Sequence, residues 1–81
     1  MAFVYVLKSL KTGKKYVGST QSDPIARLAD HNAGRMPWTR NHRPLELIDT
    51  EEIKTLDLAQ KREKFFKTGK GRSVLTSLIS T

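Results

Sequence analysis

The sequence predicts an α+β domain over residues 1–81: a three-stranded, mainly antiparallel sheet flanked by helices, in the order strand, strand, helix, strand, helix, helix. Three observations carry this. Two short runs rich in β-branched and aromatic residues, 3–10 and 14–18, flank Lys11-Thr12-Gly13, which is hairpin punctuation. Asp23-Pro24 and Thr55 each open a stretch of helical periodicity, and one further strand-like run, Pro44 to Ile53, lies between those stretches. A chain of 81 residues fits one domain that buries roughly 60 to 65% of its unfolded surface, which is feasible without covalent staples.

In the hairpin, a two-residue loop at Thr12-Gly13 pairs Ser9 with Tyr16 and Leu7 with Gly18. That register puts Tyr5 and Tyr16 on one face and Val4, Val6 and Val17 on the other; a one-residue slip would separate the phenols. The first helix starts at Asp23, whose carboxylate caps free N–H groups, with proline tolerated at the first helical position, and is expected to end at Gly34. Its apolar line is Ile25, Leu28 and Ala29, while Arg27 and His31, four apart, stack on a neighbouring flank. Residues 35–43 have no periodicity but carry three arginines, a histidine and the only tryptophan, and read as an ordered cationic loop. In the third strand Leu45 and Leu47, with Asp49 as a third candidate, take one side, Glu46 and Ile48 the other. Thr55 caps a second helix, Thr68-Gly69-Lys70-Gly71 ends it, and a last helix runs from about Arg72 to Ile79. On the second helix Leu56, Leu58, Ala59, Phe65 and Phe66 span one arc, and Arg62 and Glu63 fall inside it. Charges there cost several kcal/mol (roughly) unless paired or coordinated, so each is expected to have a partner.

Composition narrows the function. The absence of cysteine excludes disulfides and thiolate zinc sites and is compatible with a reducing compartment. The run from Ala2 to Leu10 is interrupted by Lys8, lacks a cleavage pattern and is too short to span a bilayer, so the expected location is the cytoplasm, with no membrane partner. Fifteen Lys plus Arg against eight Asp plus Glu give a formal charge of +7, which attracts polyanions through steering and counterion release. Nucleic acid is the expected partner, the alternative being a merely soluble basic surface.

Phosphodiester hydrolysis needs an oxygen nucleophile relieved of its proton, a cation near the developing charge and usually a divalent metal. Tyr16 offers a proton relay, although a phenol titrating near ~10 needs positive charge nearby to act as a base. Arg27 offers charge for a pentavalent phosphate, and Glu63 a hard oxygen ligand suited to one magnesium or manganese ion. Ordinary readings stand beside these: each tyrosine as a packed strand aromatic, Arg27 as the partner of Asp23, and Glu63 as an ion-pair member with Arg62 or a lysine. Trp38 reads either as a loop anchor or as a base-stacking platform among Arg35, Arg40 and Arg43; with Lys15 these are the candidate nucleic-acid contacts. His42 reads as a solvated loop residue.

The ordered set Phe3-Val4-Tyr5-Val6-Leu7-Lys8-Ser9, Tyr16-Val17-Gly18-Ser19-Thr20, Arg27-Leu28, His31-Asn32-Ala33-Gly34, Thr39, Arg43-Pro44 and Ala59 with Arg62-Glu63 resembles the GIY-YIG endonuclease superfamily. The likeness is to its small stand-alone bacterial members and covers nearly the whole chain. It implies a DNA endonuclease using Mg²⁺ or Mn²⁺, with Tyr16 as general base and Tyr5 as its companion. Arg27 would bind the scissile phosphate, His31 would assist proton relay or substrate contact, and Glu63 would be the metal ligand. The first tripeptide is Phe-Val-Tyr rather than Gly-Ile-Tyr, and no asparagine follows Asn41. Larger relatives append DNA-binding or zinc-binding domains; here specificity is expected from a protein partner, a homodimer or DNA structure.

Overall fold

The computed structural model describes residues 1–79. Strands β1 (Ala2–Ser9), β2 (Lys15–Thr20) and β3 (Leu45–Ile53) form an antiparallel sheet in the order β2-β1-β3, with β1 in the centre. Helix α1 (Pro24–Asn32) and the short α2 (Pro37–Arg40) join β2 to β3; α3 (Leu56–Phe66) and α4 (Gly69–Ile79) follow. This is the predicted α+β class and order, with one helix more: the cationic loop contains α2, a single turn with Pro37 at its start and too short to show periodicity.

The hairpin pairs Leu7 with Tyr16 and Tyr5 with Gly18, two residues from the expected register. The connection is longer than two residues because Ser9 holds it open. Its N–H donates to the Lys14 carbonyl (2.8 Å), its hydroxyl accepts from the Lys11 and Thr12 amides, and Gly13 turns with φ 77°. A shift of two preserves side-chain parity, so Tyr5 and Tyr16 do share a face, opposite Val4, Val6 and Val17.

The Val face packs against α3 and α4, where Ala2, Val4, Val6, Val17, Ala59, Phe66 and Leu75 form the larger apolar core. Gly71 is needed there: a Cβ would overlap the Phe65 carbonyl, so α4 could not approach α3. Helix α4 begins at Gly69, three residues before the expected start, because the Thr68 hydroxyl accepts from the Gly71 amide (3.0 Å) and initiates it. The β1–β3 ladder has a bulge between Val6 and Leu7, which pairs Leu7 with Leu47 but Val6 with Asp49. Asp49 therefore lies across from Val6 and not with Leu45 and Leu47, a switch of side that one extra residue imposes.

Helix α1 covers the other face. Asp23 caps it through the Ile25 amide (2.9 Å), as expected, but the apolar line Ile25, Leu28, Ala29 is not what faces the sheet. Ile25 is 65% exposed and Ala29 is exposed, whereas Leu28 packs on Tyr5, Leu7 and Leu45, and His31 is fully buried. Asn32 fixes the helix end to β3, donating to the Leu45 carbonyl (3.0 Å) and accepting from its amide (2.8 Å).

Candidate active site

The two phenols start on neighbouring strands and lean together, with ring centroids 6.3 Å apart. Tyr5 is 1% exposed, beneath α1, so the face carrying the phenols is covered. What lets its tip reach the β2 edge is Gly18, directly opposite: any Cβ there would collide with the Tyr5 hydroxyl. Only glycine can stand at that pairing position without displacing the phenol.

His31 reaches the phenols from the last turn of α1. Its Nε2 lies 3.1 Å from the Tyr5 hydroxyl, its Nδ1 lies 2.7 Å from the buried Thr39 hydroxyl of α2, and its ring is 5.0 Å from that of Tyr16. Burial, then the Arg27 charge, hold the imidazole below its ordinary pKa against a smaller opposing pull from Asp30, so the ring is neutral near pH 7. A neutral ring donates through one nitrogen and accepts through the other, giving the Tyr5–His31–Thr39 chain a single direction.

Arg27 lies one turn earlier on α1. Its guanidinium pairs with Asp30 (3.4 Å) rather than with Asp23, whose carboxylate is used in the cap. Its Nε is buried and has no hydrogen-bond partner among the described residues. Burial raises the Tyr5 pKa above its ordinary value, the neighbouring Arg27 guanidinium pulls it back, and the Tyr16 and Glu63 charges add to the rise. The Tyr16 pKa is raised by burial and by Glu63, against Arg27. Both phenols thus keep their protons at neutral pH.

Glu63 comes from α3, on the far side of the sheet, and joins the site around the edge of β2. Its Oε1 accepts from Ser19 (2.7 Å) and its Oε2 from the Lys67 ammonium (2.6 Å). Arg62, the other charge on the apolar arc, forms a two-pronged pair with Glu51 (2.9 and 3.1 Å) and lies over the Phe66 ring at 4.3 Å. Both arc charges have the partners that their position demands. Among the described residues no three His, Cys, Asp or Glu side chains are placed to hold a metal ion.

A cleft of about 900 Å³ opens beside Tyr16, and Lys14, Lys15, Trp38, Lys67 and Arg72 line it. Of the candidate nucleic-acid contacts, Lys15 and Trp38 are here with Tyr16. Trp38 is half exposed between Tyr16 (5.6 Å) and His42, on which it stacks at 4.3 Å, so His42 is a half-buried support for the indole and not a solvated loop residue. Arg40 and Arg43 line a separate hollow, where they donate to the Gly34 and Arg40 carbonyls, and Arg35 pairs with Asp30 (2.8 Å). Thr39 and Ser19 stand in the ordered pattern without an assigned role, and Lys67 is the lysine that the ion-pair reading of Glu63 left unnamed, signalled by its spacing of four on one helix.

The pattern described as the GIY-YIG catalytic domain matches residues 1–74. A UPF0213 protein of Listeria monocytogenes serotype 4b is 41% identical over 66 residues, covering 80% of this chain and 72% of that one. A UPF0213 protein of Listeria innocua is 39% identical, over 80% and 71% of the two chains. The solution NMR structure of a UPF0213 protein from Bacillus halodurans superposes with a TM-score of 0.55 at 29% identity, covering 96% of this chain and 85% of the other. With the ordered tyrosines, arginine, histidine and glutamate gathered at one edge of the sheet, and with that match spanning nearly its whole length, the chain belongs to the GIY-YIG family.

Proposed function

We propose that this chain is a divalent-metal-dependent endonuclease that hydrolyses DNA phosphodiester bonds, acting on structured or damaged DNA in repair or recombination. One observation carries the reading: Arg27 presents a buried Nε with no partner beside two phenols and an imidazole, next to a cleft lined by Lys14, Lys15, Lys67 and Arg72. An unpaired buried donor is costly unless a ligand uses it, and a phosphate oxygen is the acceptor that this cationic setting would draw in.

In this mechanism Arg27 binds the scissile phosphate and offsets the charge that grows on it as the nucleophile adds. Bound cations lower the Tyr16 pKa so that its own proton passes to solvent; the phenolate then takes one proton from the attacking water as that oxygen bonds to phosphorus, and the leaving oxygen departs with a proton from solvent. Neutral His31 steadies the Tyr5 hydroxyl through Nε2 and is itself steadied by Thr39. Glu63 would hold the magnesium or manganese ion. A single carboxylate suits these cations, which keep several waters and take other oxygens from substrate phosphates, and Glu63 already neutralises one cation, Lys67. When bound, the ion supplies Lewis-acid polarisation of a phosphoryl oxygen. The test is nicking of plasmid, flap and branched DNA with Mg²⁺ or Mn²⁺ by the wild type, Glu63→Ala and Arg27→Ala. Equal cleavage by all three would identify a contaminating nuclease.

One observation favours a second reading, a nucleic-acid-binding module without turnover: both Glu63 oxygens are engaged by protein groups. It predicts salt-sensitive DNA binding with no metal-dependent cleavage.

A further inference from the structure

We propose that Lys67 is an exchangeable resident cation of the Glu63 carboxylate: it competes with the divalent ion in the free protein and transfers to a substrate phosphate when the ion and DNA bind. The inference rests on the reading of Glu63 as the metal ligand. It comes from a contrast between two cations five residues apart on one helix end. Arg62 is fixed by a planar two-pronged pair with Glu51 and by the Phe66 ring beneath it. Lys67, the capping residue of α3, makes one side-chain hydrogen bond among the described residues, to Glu63 Oε2, and its side chain is 50% exposed. A hydrated ammonium on a flexible stem with one contact is readily displaced, whereas a stacked guanidinium fork is not.

The surroundings give Lys67 a second place to go. Its ammonium is 5.8 Å from the Tyr16 ring centroid, and the residue lines the cleft with Lys14, Lys15 and Arg72. Ser19 keeps its grip on Oε1, so the carboxylate stays oriented while Oε2 changes cation. Glu63 is thereby held pointed at the site before any ion arrives. A divalent ion adds twice the charge at Oε2 and repels the ammonium, which moves into the phosphate-binding cleft.

The test titrates Mn²⁺ against the protein without DNA, following free Mn²⁺ by electron paramagnetic resonance, for the wild type, Lys67→Met, Lys70→Met and Glu63→Gln. Lys67→Met is expected to bind Mn²⁺ on the order of three- to tenfold more tightly. Lys70→Met, which removes the same charge elsewhere, controls for net charge and is expected to match the wild type, and Glu63→Gln to lose the site. With saturating Ca²⁺ as the divalent ion, Lys67→Met is expected to bind duplex DNA with a log–log salt slope shallower by about 0.9 than the wild type. Mn²⁺ affinity in Lys67→Met no greater than in Lys70→Met would overturn the competition, and an unchanged salt slope would overturn the transfer. Mn²⁺ binding that survives Glu63→Gln would remove the metal-ligand reading and this inference with it, a pattern distinct from failure of Lys67 alone.

Discussion

The face of the sheet under α3 and α4 is filled by valines, two alanines, a leucine and a phenylalanine. The face under α1 is filled around a phenol, an imidazole and a threonine hydroxyl, all buried. The same strands build both, since alternation sends Val4 and Val6 one way and Tyr5 and Leu7 the other. A domain this small has a modest core and cannot afford reactive groups on both sides, so its apolar burial is concentrated on one. The polar face is then free to keep an unpartnered Arg27 Nε and phenols that hold their protons, features useful for chemistry and neutral or costly for stability.

The largest expected effect lies on the apolar side. Phe66→Ala empties the fully buried centre of the larger core and should cost about 3–5 kcal/mol, a large part of the stability of such a domain. Urea denaturation would report it as a lower midpoint. On the polar side Arg27→Ala should do the reverse: cleavage falls about 10²- to 10³-fold while the urea midpoint barely moves. A large loss of stability in Arg27→Ala would mean that the guanidinium holds the fold together and would erase the distinction between the faces.

Gly18→Ala tests the junction between them. The new methyl meets the Tyr5 hydroxyl, so either the phenol or strand β2 must move, at a cost of about 1–3 kcal/mol. Weakened cleavage is expected together with a changed Tyr5–His31 hydrogen bond, seen as shifted imidazole nitrogen resonances. Smaller still is Arg62→Ala, which loses a half-exposed ion pair and the contact with Phe66. About 1–2 kcal/mol of stability is expected after solvent screening, with DNA cleavage unaltered.

Much of this division is legible in the sequence, and the reason is parity. A hairpin register wrong by two still sends Tyr5 and Tyr16 to one face, so the conclusion survived an error in the loop. Asp23-Pro24 and Thr55 mark helix starts through local capping chemistry, which needs no tertiary information. The β3 bulge left no such trace: Leu47-Ile48-Asp49 alternates on paper, and only pairing with β1 shows the extra residue. The apolar line of α1 failed for a related reason. Hydrophobicity nominated Ile25, but the sheet face below is lined by Tyr5, and His31 satisfies that surface better than an aliphatic chain because its two nitrogens find Tyr5 and Thr39. Ser19 and Thr39 stood in the ordered pattern without a role, because a hydroxyl acquires one only from the group that folding sets beside it.

The finest probe of the contrast is pH, because an ionisable group buried on one face leaves a signature that an all-apolar face does not. His31 has its pKa lowered by burial and by Arg27, so the unfolded chain, titrating near 6.5, takes up a proton that the folded protein refuses. Protons bound in excess by the unfolded state make stability rise with pH. Stability is therefore complete above about 6.5, falls as the pH drops below it, and levels off once the folded-state imidazole also protonates. Urea midpoints measured across this window should slope in the wild type and lose that part of the slope in His31→Gln, whose amide carries no proton to exchange. An identical slope in both proteins would assign the acid sensitivity to the carboxylate pairs, and His31 would then be protonated in its buried site with the Tyr5 oxygen as acceptor.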